Sequence, residues 1–562
     1  MRLYLPFFFT ALVLGQSAAD SRNTRISHTD THFSINEYKR LQSWEKHRTT
    51  LRAQVLVAAG LDPLPERCPL KPSASGLKTE DGFTVEKVLI QTLPGYFLGG
   101  NLYRPAGSKG RHPAVLSPHG HWKNGRREQS DVCSTPALGA SLARQGYVVF
   151  AYDMVGYNDT RQTPHDFGGP AEQLWSFGPL GLQLWNSIRA TDFLASLPDV
   201  DPSRLAATGA SGGGTQTFLL TAVDSRIRYS APVNMVSAIM QGGCVCENAP
   251  GLRAGTFNVE IASMMAPRPM LVVSATGDWT RNVPKEEFPA IQRIYGLYGK
   301  SGDTEVVQID APHNYNLQSR EAVYSFFARQ IPGKRGAVKE QPVRNLTDDE
   351  LLAGTLPEGA LTYDQLFENW KKMAREQNAR IRNPAEKRRR LTAVLGAEWP
   401  AKVESVAEGG RLYLTRPGRG DRIPAILVEG RGDPVLVVHP DGAVAGRALV
   451  PEGRAALCID AFQTGAAVAE RKIDYKHYLT FQHSDDAYRV QDVLTALAFL
   501  NQRKPGRLEL IGQGKAGVWA LYAAAVAPIR VKLSASHDQY GDFFVPGIER
   551  AGGLEFALSL VR

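Results

Sequence analysis

The chain has 562 residues, 43% hydrophobic, 22% charged and 9% aromatic, the balance of a folded, water-soluble protein and not of a disordered, collagen-like or membrane-embedded one. At roughly 150 residues per domain this length accommodates two to four domains. The 65 Lys+Arg and 56 Asp+Glu leave a charge of +9 scattered along the chain, without the concentrated stripe of a nucleic-acid binder. The one dense run, Lys387-Arg388-Arg389-Arg390, reads as the solvated face of a helix.

From the start of the chain, Arg2, the apolar residues 3–14 and Ser17-Ala18-Ala19 before Asp20 read as an export signal over residues 1–19. The apolar stretch is shorter than the ~20 residues a bilayer span requires. A soluble periplasmic or secreted protein without membrane insertion is therefore expected. Cys68, Cys133, Cys244, Cys246 and Cys458 are too few for a disulfide framework. One disulfide among the first four is compatible with export, and its pairing is open. Cys244-Val245-Cys246 has no second Cys pair or His cluster at zinc spacing, so no metal site is expected.

The next elements are a helix through Leu51 stopped at Gly60, a buried strand Pro113-Ala114-Val115-Leu116-Ser117-Pro118 ending at His119-Gly120, and a strand through residues 146–153. An amphipathic helix over residues 184–197 precedes the strand Leu205-Ala206-Ala207-Thr208. That strand enters Gly209-Ala210-Ser211-Gly212-Gly213 and then a helical run. A G-x-S-x-G turn between strand and helix projects a nucleophilic hydroxyl, and the helix N-terminus offers amides to a developing oxyanion. The bland alternatives are an ordinary Gly-rich turn or a phosphate loop. A Walker loop needs Lys-Ser/Thr after its last Gly, and a dinucleotide loop sits at the first strand.

A serine needs a base and the base an orienting acid. The strand through residues 270–274 ends near Asp278, and the strand through residues 304–309 ends near His313. In a parallel sheet both carboxyl ends share an edge with Ser211. Asp310 rivals Asp278, but an acid three residues before His313 is poorly placed to face its imidazole. The oxyanion donors are expected to be the amide of Gly212 and a second from His121 or Trp122, in the first long strand-to-helix loop. Trp279, beside the proposed acid, and Glu247 and Asn248, in the loop 241–248, are expected to contact substrate. Trp122 and Trp175 are further candidates for stacking on sugar rings, whereas Trp185 shares an apolar helical stripe with Leu182 and Ile188 and is expected in the core.

Pro118-His119-Gly120, Tyr152-Asp153-Met154-Val155-Gly156, Leu197-Pro198-Asp199-Val200-Asp201-Pro202, Gly209-Ala210-Ser211-Gly212-Gly213 and Ala266-Pro267-Arg268-Pro269, with Asp278 and His313, resemble an acetyl xylan esterase-like, dienelactone hydrolase-like branch of the α/β-hydrolase family over roughly residues 80–332. The resemblance implies ester hydrolysis through an acyl-serine intermediate without cofactor, on acetylated xylan, a related polysaccharide or a small ester. Ser211 departs from the Cys nucleophile of dienelactone hydrolases. A prolyl-oligopeptidase-like peptidase is the weaker reading, because roughly 90 residues before the first core strand cannot hold a propeller. A non-catalytic carbohydrate-binding scaffold is a third, opposed by the complete Ser211, Asp278 and His313 set.

Beyond a Gly/Lys/Pro-rich stretch at residues 332–336, the same plan recurs. Residues 386–400 echo the lead-in helix, Val435-Leu436-Val437-Val438-His439 echoes the strand before Gly120, and Ile511-Gly512-Gln513-Gly514-Lys515 echoes the serine turn with Gly514 in the serine's place. The chain ends at Arg562, before counterparts of the strands carrying Asp278 and His313. The expectation is thus two α/β-hydrolase-type domains with mostly parallel sheets. The first, catalytic domain covers residues 20–333, a linker 334–345, and an incomplete, inert domain 346–562.

Overall fold

The computed structural model describes residues 19–333, 339–503 and 508–561. The signal assigned to residues 1–19 thus lies outside the described residues except for Ala19, as does part of the expected linker. No helix among the described residues is long and apolar enough to cross a membrane.

The first sheet has nine strands: β1 Ser73–Glu80, β2 Phe83–Leu93, β3 Tyr96–Pro105, β4 His112–Pro118, β5 Val148–Tyr152, β6 Val200–Ala210, β7 Ile227–Val233, β8 Met270–Gly277 and β9 Thr304–Pro312. Their order is β1-β2-β3-β5-β4-β6-β7-β8-β9. The links β1–β2, β2–β3 and β3–β5 are antiparallel, and every later one is parallel. The central strands read as continuous apolar runs because both faces are covered. Helices Leu41–Ala58, Pro179–Ser196 and Gly212–Val223 cover one face, burying Trp44, Trp185 and Phe218; helices Thr135–Arg144 and Leu317–Gln330 cover the other with Leu138, Tyr324 and Phe327. Trp185 is fully buried as expected, its indole N–H donating to the Thr92 carbonyl at 2.8 Å.

The second sheet has seven strands: β10 Glu404–Glu408, β11 Arg411–Thr415, β12 Ile423–Val428, β13 Arg431–Val438, β14 Arg454–Ile459, β15 Leu508–Gly512 and β16 Val531–Ala535, in the order β10-β11-β12-β14-β13-β15-β16. Position for position this is the order of β1 through β7, with the same switch from antiparallel to parallel pairing. Two α/β sheets with helices are thus present, the second smaller and without counterparts of β8 and β9 among the described residues.

The boundary differs from the one expected at residue 346. Leu346 and Leu351 are buried on one face of the first sheet, and Leu366 and Trp370, from helix Tyr363–Ala379, are buried on the other. Buried Arg126 and Asn101 both donate to the Leu351 carbonyl. Packing therefore assigns residues 346–379 to the first domain. An amphipathic stripe shows that a helix must bury one face and does not specify against which sheet.

Candidate active site

β6 ends in a tight turn into helix Gly212–Val223, and Ser211 stands at its apex with φ 60° and ψ −128°. Such backbone is strained for a residue with a Cβ and persists only where the surroundings fix it. Here the Ser211 amide donates to the Val233 carbonyl at 3.1 Å and its carbonyl accepts from Thr215 at 3.0 Å. The flanking residues must be small, since a Cβ on Gly209 or Gly213 would lie 2.4 or 2.3 Å from the Pro118 carbonyl oxygen. The hydroxyl is thereby held at the carboxyl edge of the sheet, half-buried.

Asp278 and His313 follow the ends of β8 and β9. The Asp278 Oδ2 lies 2.9 Å from Nδ1 of His313, and its Oδ1 accepts from the Thr280 amide and hydroxyl. Asp278 is buried, where a carboxylate can hold an imidazole in one orientation. Asp310 instead accepts from the exposed Thr276 hydroxyl at 2.6 Å. The other imidazole nitrogen, Nε2, is buried without a hydrogen-bond partner among the described residues.

His313 lies between two indoles, with Trp279 at 4.3 Å and Trp122 at 5.8 Å between ring centroids. The Trp122 indole nitrogen would also lie 3.2 Å from a Cβ on Gly120, and that Cβ would lie 2.9 Å from the Ser211 Cβ. One ring therefore borders both the base and the nucleophile's turn. A second link runs through Asn234, after β7, whose side-chain amide donates to the Asn314 carbonyl at 2.8 Å. Ser211 and His313 are not directly hydrogen-bonded in this state. Such bonds are commonly loose before substrate arrives. Trp175 is remote from this arrangement: its carbonyl accepts from Trp370 and its ring carries Arg375.

The loop after β4 lies against the other side of the turn. His119 is buried, its Nδ1 facing the Gly120 carbonyl at 2.7 Å and its Nε2 accepting from the Met154 amide at 3.0 Å. Burial pushes its imidazole down to about 3, so it is a neutral structural element. The His121 ring is so close to the first residue of the helix that a Cβ on Gly212 would sit 2.7 Å from its Cε1.

Glu247 and Asn248, expected to contact substrate, are corrected to loop-shaping residues. Both are buried. The Glu247 carboxylate accepts from the Thr215 hydroxyl and from the amides of Gly243 and Cys244. The Asn248 amide donates to the Gly242 and Cys244 carbonyls, so neither side chain is free for a ligand.

Cys244 and Cys246 have no histidine at zinc spacing along the chain, but the fold brings two to them. His121, from the loop after β4, and His165, from the loop after β5, converge on them, and one ligand-capable atom of each lies within 4.8 Å of the others. Spacing along the chain did not show this, because the histidines are some 80 to 125 positions away. The hydrogen bond from Cys246, aided by His121 and His165, holds the Cys244 thiol far below its ordinary value. Burial and the Cys244 sulfur push Cys246 the other way. All five cysteines are free, and the disulfide that export would permit is not formed.

No family model matches the chain. Among solved structures it is similar to methylesterase BT1017, at 33% identity and a TM-score of 0.52, over 61% of this chain and 78% of that one. A protein of Bacillus subtilis (strain 168) provisionally named hydrolase YtaP is 27% identical over 296 residues, 48% of this chain and 96% of YtaP. An acetyl xylan esterase from Paenibacillus sp. R4 is 19% identical with a TM-score of 0.36, over 54% of this chain and 98% of that one. The sheet order and the strained serine turn define an α/β-hydrolase. The chain belongs to the α/β-hydrolase family, and its relatives are hydrolases and esterases.

Proposed function

We propose that the protein is a serine ester hydrolase that acts through Ser211, His313 and Asp278. The observation that carries this reading is the buried Asp278–His313 pair, 2.9 Å apart with Nε2 of His313 unpartnered, at the same sheet edge as the strained Ser211. Nε2 takes the hydroxyl proton as Oγ adds to the acyl carbon, and Asp278 stabilises the imidazolium that forms. The two flanking indole rings favour the same cation. The amide of Gly212 and one from His121 or Trp122 receive the developing oxyanion, each worth about 3 to 4 kcal/mol of transition-state stabilisation. His313 then returns its proton to the leaving alkoxide, and water releases the acyl group by the same route in reverse.

We assign the substrate as an esterified polysaccharide outside the cytoplasm, with Trp122 and Trp279 bordering the acyl carbon. The resemblance in sequence points to acetyl groups. The likeness to a methylesterase brings methyl esters of acidic polysaccharides into the same class, since both reactions pass through an acyl-serine. Peptidase and scaffold readings gain no support from these neighbours.

The decisive measurement is p-nitrophenyl acetate hydrolysis by the wild type and Ser211→Ala, with a loss of about 10^5-fold or more in kcat expected. Equal rates would sink the esterase reading. Acetate and methanol release from acetylated and methyl-esterified polysaccharides then separates the two ester types.

A further inference from the structure

The four side chains beside the nucleophile's turn come from three separate loops, yet they converge on one point. His121 Nε2 lies 3.1 Å from both His165 Nε2 and Cys246 Sγ, and Cys244 Sγ lies 3.3 Å from His165 Nε2. With zinc bonds of about 2.0–2.1 Å to nitrogen and 2.3 Å to sulfur, the edges of a tetrahedral Cys2His2 site are about 3.3 to 3.8 Å. The observed separations approach those edges without rearrangement of the backbone.

The surroundings supply the outer support that such ligands require. His165 Nδ1 faces the Val155 carbonyl at 2.6 Å. The Nδ1–H tautomer this bond selects leaves the Nε2 lone pair facing the cluster, the usual arrangement for a metal-bound imidazole. Glu247 fixes the amides of Gly243 and Cys244, and Asn248 fixes the Gly242 and Cys244 carbonyls. Buried Arg253 in turn holds the Glu247 carbonyl and the Asn248 side chain. From the second domain, Lys476 and His477 both reach the Gly243 carbonyl.

We propose that His121, His165, Cys244 and Cys246 bind one zinc ion through two imidazole Nε2 atoms and two thiolates. The two thiols release two protons as the ion enters, and the resulting centre carries no net charge from its ligands and metal. With four protein ligands it is a closed site, and so structural rather than electrophilic. Thiolate and imidazole together suit zinc rather than magnesium or calcium.

The ion ties the loop after β4 to the loops after β5 and β7. Because the His121 ring stands against Gly212, this fixes the backbone of His121 and Trp122 relative to Ser211. His121, His165 and the two cysteines are positioning residues in this role. That consequence rests on the esterase reading, whereas the binding of the ion does not.

Metal analysis of the full chain purified under reducing conditions is expected to give about one zinc per chain. Reconstitution with cobalt(II) is expected to give the thiolate charge-transfer bands and intense visible bands of a tetrahedral sulfur-ligated ion. Cys244→Ser/Cys246→Ser is expected to lose both signals; should that variant fail to fold, the wild-type cobalt spectrum decides alone. Ser211→Ala is expected to keep the full zinc content while losing turnover, so failure of the metal site and failure of the esterase are read separately. A wild type that binds neither ion, a Cys244–Cys246 disulfide in the native protein, or undiminished zinc in the double-cysteine variant would each overturn the proposal.

Discussion

Asp278 binds His313 with one carboxylate oxygen and Thr280 with the other, so its orientation does not depend on the histidine. Asp278→Asn should therefore keep the side chain in place while presenting a group that favours the wrong imidazole tautomer. A fall of about 10^4 in kcat is expected, with little change in stability. Asp310→Asn, at the exposed Thr276 contact, should leave steady-state kinetics near wild type; a comparable loss there would mean the acid is misassigned. His119 gives a second prediction. Its pKa falls from 6.5 to about 3 on folding, so below pH 6.5 the unfolded chain takes up a proton that the native protein refuses. Its contribution leaves stability unaffected above that pH and reduces it between pH 6.5 and about 3, by up to about 1.4 kcal/mol per unit. Urea titrations on the acid side should show a shallower fall for His119→Gln, about one proton fewer in slope. Asp278 and His313 were legible in the sequence because each follows an apolar strand. Glu247 was not, because a polar residue in an irregular loop reads the same whether it faces a ligand or its own backbone. His165 was missed because it sits in a long connection without periodicity, and only the fold brings it to Cys244.

At the scale of elements, the turn after β15 repeats the one after β6. Gly514 has φ 54° and ψ −133°, against 60° and −128° for Ser211. The backbone that presents a nucleophile is thus retained where the hydroxyl is absent. A Cβ on Gly514 would approach only Gln539 Oε1 closely, at 3.1 Å. A serine there therefore fits, with a backbone strain of about 1 to 3 kcal/mol. What the second sheet lacks among the described residues is strands in the places of β8 and β9, whose ends lead to Asp278 and His313 in the first. Gly514→Ser in a Ser211→Ala background should therefore hydrolyse p-nitrophenyl acetate no faster than Ser211→Ala alone. Appreciable turnover would reveal a base in the second domain. Sequence echoes marked this repeat because buried parallel strands and glycine turns are constrained locally. The true edge of the first domain was hidden, because Leu366 and Trp370 form an apolar stripe compatible with either neighbour.

Across the whole molecule, the described N-terminal segment joins the two domains. The Ser21 amide donates to the Gly420 carbonyl at 2.8 Å, the Phe33 amide donates to Ala238 of the first domain at 2.9 Å, and helix Leu41–Ala58 then packs on the first sheet. The anchor in the second domain is Arg22, whose guanidinium donates to Asp492 Oδ1 at 2.6 Å and lies 4.5 Å from the Phe462 ring centroid. Asp492 is fully buried and also accepts from the Phe462 amide at 2.8 Å. Removing the arginine leaves a carboxylate in the core with one neutral donor, which for a buried pair costs about 3 to 5 kcal/mol. Arg22→Ala should therefore destabilise the second domain, splitting urea unfolding into two transitions while the later one keeps the wild-type midpoint. Asp492→Asn in the same background removes the stranded charge and should recover part of the loss. A single transition at the wild-type midpoint for Arg22→Ala would mean that the segment rests on the second domain without holding it.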